Sequence, residues 1–121
     1  MLETYKSYFG DSKQPEHIFS PYRIAPLGAH VDHQRGIISG FAIDKGMELF
    51  FTKNESGIVD IRSMNFRGEV TFDLQLPVDV KHNDWGDYAR GAVYALKKRF
   101  NLKYGINGLI KGTLPIGGLS S

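Results

Sequence analysis

The last seven residues of the chain have the composition of a phosphate-binding loop. A predicted strand leads to Gly117 and Gly118, and after Leu119 to Ser120 and Ser121. A glycine pair exposes backbone N–H groups and serines add hydroxyls, so such a segment can cradle phosphate oxygens at the start of a helix. Because the sequence ends where that helix would begin, we expect the chain to be a piece that ends inside its own phosphate loop.

The segments before this loop alternate between apolar runs and turn residues. Residues 17–27 are apolar and β-branched, and Pro21 and Pro26 predict an edge strand that ends in a turn. A loop rich in polar side chains follows at residues 28–36. Four further runs predict strands, the first two around a turn at Asp44-Lys45-Gly46: residues 37–43, 47–52, 58–64 and 70–76. The third alternates apolar and charged residues, as expected in an antiparallel sheet with one wet face.

From Asp84 onward the hydrophobic period changes to three and four, which predicts a helix over about residues 84–101 with Asp84 as its N-cap. Its predicted apolar face consists of Trp85, Tyr88, Ala89, Ala92, Val93, Leu96 and Phe100. Gly105 fits the helix exit, and residues 106–114 predict a strand that returns to the sheet. The predicted fold class is α+β: an antiparallel or mixed sheet of about five strands with this helix on one face. We expect residues 1–15 to form a short helix or arm ahead of a domain at residues 16–121.

The composition argues against several classes of partner. Fifteen Lys and Arg against thirteen Asp and Glu leave a formal charge of +2, too small to predict nucleic-acid binding without a basic stripe. The one basic run, Lys97 to Arg99, is read as a solvated helix end. The absence of cysteine excludes disulfides and fits a reducing cytoplasm. We find no secretory signal, no run of the ~20 apolar residues that a membrane span needs, and no histidine spacing that predicts a structural metal.

Three segments together resemble the galactokinase branch of the GHMP kinases, over about residues 18–121. Residues 22–33 read Y-R-I-A-P-L-G-A-H-V-D-H, against the family pattern G-R-x-N-x-I-G-E-H-x-D-Y. Trp85, Tyr88 and Gly91 match W-x-x-Y-x-x-G, and residues 115–121 match the phosphate loop P-x-G-x-G-L-S-S. The third segment looks like the P-x-G-x-G-L-S-S-[SA] loop with its end cut off. One such motif would be weak, but three in family order with compatible spacing are a strong signal. Residues 20–36 and 85–96 look more similar to plant galacturonokinase than to ordinary galactokinase.

The resemblance implies that His30 and Asp32 bind a sugar, and carboxylate oxygens suit this task because they accept hydrogen bonds from ring hydroxyls. It also implies a catalytic role for Arg23, which matches an arginine near the transferred phosphoryl group. From the residues alone, a turn-forming Asp, a His at the edge of the core and a surface Arg are the alternatives. The family's catalytic base, an Asp, lies beyond Ser121 in the pattern, so we expect the fragment by itself to be inactive.

Two residues of the same loop depart from the galactokinase pattern. Ala29 stands where galactokinases carry a Glu that binds the sugar's 6-hydroxyl, and Arg35 stands where relatives often have Gly. A Glu about 5 Å from a 6-carboxylate would cost roughly 3 kcal/mol at an effective dielectric near 20, or about two orders of magnitude in affinity. Ala29 removes that repulsion, and Arg35 offers a bidentate partner for a uronate, unless it is simply solvent-exposed.

The resemblance also implies a nucleotide site. Trp85 and Tyr88 correspond to residues beside the adenine, although packing in the core is the alternative for both. Gly117, Gly118 and Leu119 would line the phosphates, and the Ser120 and Ser121 hydroxyls would contact phosphate or the Mg²⁺ shell. The implied cofactors are therefore ATP and Mg²⁺.

The predicted activity is transfer of a phosphoryl group from ATP to the anomeric hydroxyl of galactose or galacturonate. The first alternative is a catalytically silent, galactokinase-like sensor that binds sugar and ATP and signals through a partner. The second is an independent binding module complete in these 121 residues. The expected partners are the sugar, ATP and the remaining C-terminal part of the same protein. We also expect self-association of the fragment through an exposed apolar surface.

Overall fold

The computed structural model describes residues 1–79 and 81–114, apart from the side chain of Asp32. Five strands form one sheet in the order β1-β2-β5-β3-β4. Their bounds are Glu16–Leu27 for β1, Ser39–Asn54 for β2, Ile58–Ser63 for β3, Glu69–Asp73 for β4 and Gly105–Gly112 for β5. Strands β3 and β5 run parallel and the other neighbours run antiparallel, which confirms the predicted mixed sheet and places β1 at its edge.

Strand β2 is continuous over sixteen residues, so the prediction of two strands around a turn at residues 44–46 is wrong. Gly46 is buried in the sheet opposite Pro21, where a Cβ atom would lie 2.3 Å from the carbonyl oxygen of Ser20. Its N–H donates to Oγ1 of Thr113 at 2.9 Å, and its carbonyl accepts the Thr113 N–H at 3.1 Å. The glycine therefore permits a close approach of neighbouring chain segments, and it does not mark a turn.

Helix α2 spans Asp87–Lys97, inside the predicted range, and its N-cap is Gly86. The prediction that Asp84 is the N-cap is wrong. The Asp84 backbone carbonyl accepts the Asp87 N–H at 3.1 Å in a turn before the helix, and an Asp84 carboxylate oxygen accepts the Gly86 N–H at 2.8 Å. The carboxylate thus holds the turn that leads into α2.

Helix α2 covers one face of the sheet, where Val59, Ile61 and Leu74 form a buried cluster. Only part of the predicted apolar face packs there, namely Trp85, Ala89 and Val93. Four other members of that predicted face are exposed: Tyr88, Ala92, Leu96 and Phe100. The helix instead turns Arg90 inward, which is possible because two aspartates pair with its guanidinium.

Helix α1, Leu2–Phe9, is the short helix predicted near the N-terminus. Tyr5 is buried, and its hydroxyl lies 2.7 Å from Oγ1 of Thr52 and donates to the carbonyl of Asn107 at 3.1 Å. Thr52 and Asn107 are partners in β2 and β5, and strand alternation puts Thr52 on the face opposite the α2 cluster. The sheet is therefore flanked by a helix on each side. In the described ranges, neither helix has the length and hydrophobicity to cross a membrane.

Candidate active site

The loop between β1 and β2 begins with a turn that requires glycine. Gly28 has a φ of 81°, and a Cβ atom there would lie 2.4 Å from the carbonyl oxygen of Ile37. The Gly28 carbonyl accepts the Val31 N–H at 3.1 Å, which closes a turn around Ala29 and His30. The backbone at the entry of the loop thus lies close against residues 37 and 38 at its exit, which leaves no room for a side chain at Gly28.

The second half of the loop is a short 3-10 helix, Asp32–Gln34, with a tight exit. The Val31 carbonyl accepts the N–H groups of Gln34 at 3.0 Å and Gly36 at 2.9 Å. Arg35, between these donors, has a φ of 61°, in the left-handed region. This is the pattern of a Schellman motif, in which the left-handed position is usually occupied by glycine. Arg35 therefore occupies a backbone position that disfavours its own residue type.

The structure brings four predicted sugar-site residues onto this one loop. Ala29 is partly buried, whereas His30 and Arg35 are exposed. Asp32 begins the 3-10 helix, and its side chain lies outside the part of the structure that is described. Arg23 lies earlier, on β1 opposite Ala42, and is exposed. The register of β1 and β2 shifts on both sides of the Arg23–Ile24 pair, so the strands leading into the loop are irregular.

The predicted nucleotide-site residues lie at the start of α2. The Trp85 ring stacks on Phe66 with 6.0 Å between ring centroids, and its Nε1–H donates to the carbonyl of Arg67 at 3.3 Å. Tyr88 is 87% exposed, so the alternative of core packing is wrong for Tyr88, while Trp85 does pack against the core. A partly buried indole and an exposed phenol ring, three residues apart in the sequence, can border a flat aromatic ligand.

A buried ion-pair cluster that the sequence analysis missed supports this helix start. Arg90 is 6% exposed, and its guanidinium donates to carboxylate oxygens of Asp84 and of Asp87, the latter at 2.9 and 3.1 Å. Asp87 also accepts the N–H groups of His82 at 2.9 Å and Asn83 at 2.8 Å. The His82 hydrogen bond, helped by Arg90 and opposed by desolvation, lowers the pKa of Asp87 from 3.8 to about 2.

The cluster also forms part of the wall of a surface cavity of about 360 Å³. Asp87, Arg90 and Gly91 line it together with Tyr94 and the segment before α2. The spacing of Asp87 and Arg90 at three residues was visible in the sequence as a possible ion pair on one helix face. The burial of Arg90 was not.

Two predictions cannot be compared with the structure. Gly117, Gly118, Leu119, Ser120 and Ser121 lie outside the described residues, and with them the predicted phosphate and Mg²⁺ contacts. The remaining site residues fall into two groups in different parts of the sheet. One group lies at the edge strand β1, and Trp85 lies against the connection between β3 and β4, at the other edge.

The comparisons with known proteins agree with this architecture. A galacturonokinase of Arabidopsis thaliana is 42% identical over 123 residues, covering 86% of this chain and 29% of the relative. A galactokinase of Lactococcus lactis subsp. cremoris is 34% identical over 128 residues, covering all of this chain and 31% of the relative. The chain thus spans less than a third of the length of either relative. No protein-family model matches it.

Solved structures give the same result. A galactokinase of Lactococcus lactis, crystallised with galactose, superposes with a TM-score of 0.86 at 33% identity, over 95% of this chain and 30% of that one. The mevalonate kinase of Methanococcus jannaschii superposes with a TM-score of 0.66 at 17% identity, which is a similarity of fold. The fold is that of the GHMP kinases. Within that family, the chain belongs to the branch of the galactokinases and galacturonokinase.

Proposed function

We propose that the protein carrying this chain is a sugar 1-kinase that transfers a phosphoryl group from ATP to the anomeric hydroxyl of galactose or galacturonate. The observation that carries this proposal is the loop at residues 28–36. Its motif places His30 and Asp32 on a turn closed by backbone hydrogen bonds from Val31 and Gly36. A rigid backbone suits this task because the reacting hydroxyl must be held in line with the γ-phosphoryl group.

Arg23 is the proposed catalytic residue of this chain. A guanidinium carries a positive charge and can bind two phosphate oxygens at once. Its exposure on β1, before the loop, supports this role because the side chain is open to a bound ligand. Arg23 would neutralise charge that spreads over the phosphoryl oxygens as the transfer proceeds.

Three observations favour galacturonate as the preferred sugar. Ala29 is too short to repel a 6-carboxylate, and the identity to a galacturonokinase is 42%, against 34% to a galactokinase. The third observation is structural: Arg35 holds a left-handed backbone conformation, with a φ of 61°, that costs non-glycine residues about 1 kcal/mol or more. An arginine at a backbone position that favours glycine supports a function for its side chain. The proposed partner of that side chain is a uronate carboxylate.

The proposed cofactors are ATP and Mg²⁺. Tyr88 presents an open aromatic ring beside the partly buried Trp85, which suits a site that borders an adenine. Mg²⁺ would offset the negative charge of the ATP phosphates. Ser120 and Ser121 are the proposed hydroxyl contacts of the phosphates and the metal.

The test is an assay of sugar 1-phosphate formation by the protein that carries this chain, with galactose, galacturonate and the C4 epimer glucuronate as substrates. We expect ATP- and Mg²⁺-dependent product from galacto-configured sugars. Asp32→Ala should reduce kcat/KM by several orders of magnitude, because orientation of the reacting group accounts for about 7 kcal/mol or more of a typical barrier.

Asp44→Ala is the matched control. The Asp44 carboxylate is 89% exposed on β2 and lies 3.9 Å from Nζ of Lys45, so its removal should leave kcat/KM unchanged. Near-normal kinetics of Asp32→Ala would contradict the proposed sugar site. Binding of sugar and ATP without any product would contradict the kinase and favour the sensor.

A further inference from the structure

Arg90 is the only buried residue in α2, all of which the structure describes. Burying a guanidinium requires several compensating hydrogen bonds, and apolar residues of similar volume often give equal or greater stability at such sites. A buried ion-pair cluster is therefore better explained by the geometry that it imposes than by the stability that it adds.

Arg90 constrains the backbone of residues 82–87, which lead into α2 and include its first residue. Asp84 and Asp87, which both accept hydrogen bonds from Arg90, lie on either side of Trp85 and Gly86. Asp87 extends the constraint backward through the N–H groups of His82 and Asn83. The Arg90 guanidinium thus binds the residues directly before and directly after the Trp85–Gly86 pair, and it fixes the backbone on both sides.

The Trp85 ring is held on its other side by the connection between β3 and β4. It stacks on Phe66 and donates to the carbonyl of Arg67. Gly86 lies close against β4, where an added Cβ atom would lie 2.4 Å from Cγ2 of Val70, so no side chain fits at this position. Loss of the Arg90 cluster would remove the contacts that hold the backbone on both sides of Trp85 and leave the ring held by Phe66, Arg67 and the core alone.

We propose that Arg90 is a positioning residue, which acts through Asp84 and Asp87 to set the orientation of the Trp85 ring for nucleotide binding. The nucleotide part of this inference rests on the proposed function. The positioning of Trp85 does not, because it follows from the contacts around Arg90 alone. These two parts can be tested separately in one set of variants.

The first measurement is Trp85 fluorescence in the protein that carries this chain. Trp85 is the only tryptophan of the 121 residues, and subtracting the spectrum of Trp85→Phe isolates its signal from any other tryptophan. Arg90→Met should move the Trp85 emission to longer wavelength and increase its quenching by acrylamide. Arg90→Lys, which keeps the charge but not the forked donors, should give an intermediate shift. Unchanged Trp85 emission and quenching in Arg90→Met would overturn the proposal.

The second measurement is the Kd of MgATP by calorimetry, in a cycle with Trp85→Ala. We expect Arg90→Met to raise Kd about tenfold when Trp85 is present and to have little effect when it is absent, since coupled residues are not additive. Equal effects in both backgrounds would overturn action through Trp85. If the parent protein binds no MgATP, the proposed function is wrong, and the fluorescence alone decides the positioning role.

Two further variants keep the result interpretable. Arg62→Met removes another ion-paired arginine, which binds Asp60 and Glu69 on β3 and β4, and it should change neither Trp85 emission nor Kd. If Arg90→Met does not fold, Asp84→Asn replaces it, because that carboxylate is 47% exposed and its loss is milder. A smaller shift of Trp85 emission in the same direction would support the proposal, and no shift would overturn it.

Discussion

The loop at residues 28–38 and the start of α2 differ in what holds their backbone in place. In the loop, backbone hydrogen bonds from Val31, Gln34 and Gly36 close the turns. At the start of α2, the side chains of the Arg90 cluster hold the backbone. A change of the Ala29 side chain leaves the backbone bonds of the loop in place, whereas a change of Arg90 removes bonds that hold the helix start. The first region is suited to vary its substrate, and the second to conserve one geometry.

The largest expected effect comes from giving the loop a new charge. Ala29→Glu should lower kcat/KM for galacturonate by about a hundredfold, because two carboxylates about 5 Å apart repel by roughly 3 kcal/mol. It should raise kcat/KM for galactose, whose 6-hydroxyl can donate to the new carboxylate. The backbone of the loop should tolerate the change, since Ala29 is not part of its hydrogen bonds.

Ala29→Gln is the matched control, since the glutamine side chain has nearly the same volume as glutamate and carries no charge. It should preserve more galacturonate activity than Ala29→Glu does. An equal loss for both sugars in Ala29→Glu would mean that residue 29 affects the loop's shape, and the contrast between the two regions would fail.

An intermediate effect is expected at Arg35, where substrate binding and stability should change in opposite directions. Arg35→Gly relieves the left-handed strain, so the free energy of unfolding should rise by up to about 1 kcal/mol in urea denaturation. Loss of a charge-assisted hydrogen bond to the substrate should lower kcat/KM for galacturonate about tenfold or more, with little change for galactose.

Arg35→Lys separates these two effects. It keeps the positive charge and most of the backbone strain, so it should retain part of the galacturonate activity without any gain in stability. If Arg35→Gly leaves the ratio of the two sugars unchanged, the Arg35 side chain has no role in specificity.

The smallest expected effect is the pH dependence of stability at the start of α2. The pKa of Asp87 is about 2 in the folded chain, below its usual value of 3.8, because the ionised carboxylate accepts backbone N–H groups and pairs with Arg90. Its contribution to stability is therefore complete above about pH 4 and is lost as the pH falls toward about 2. The urea midpoint of the parent should exceed that of Asp87→Asn by a constant amount near neutrality, and the gap should narrow in this acidic range. A gap that is unchanged down to about pH 2 would show that the ionised carboxylate adds nothing.

Sequence patterns predicted a sheet of about five strands and α2, and they left α1 open as a helix or an arm. The alternation around Val59 and Ile61 follows from burial on one face. The period of three and four after Asp84 located α2, although only Trp85, Ala89 and Val93 of its predicted face pack against the core. The error at residues 44–46 has a physical origin. An Asp-Lys-Gly triplet has the composition of a turn, but glycine is equally required where two segments approach closely, as Gly46 does with Ser20.

Ala29, His30 and Arg35 lie on the loop between β1 and β2, as the sequence predicted, and their roles in a site stay predictions. The left-handed conformation of Arg35 could not be predicted, because residues other than glycine seldom adopt it. The burial of Arg90 could not be predicted, because hydropathy patterns assign arginine to the surface. The exposure of Tyr88 follows from the same fact, since turning Arg90 inward rotates Tyr88 away from the core.

The bonds between Gly46 and Thr113 have a mechanical consequence. Thr113 is bound to Gly46 through both its backbone N–H and its hydroxyl, and Asn65 binds both polar backbone groups of Gly112. These hydrogen bonds join the β1–β2 hairpin, which carries the loop at residues 28–38, to the residues at the end of β5. We therefore expect the hairpin and the end of β5 to move together, with Gly46 as the point of mechanical coupling.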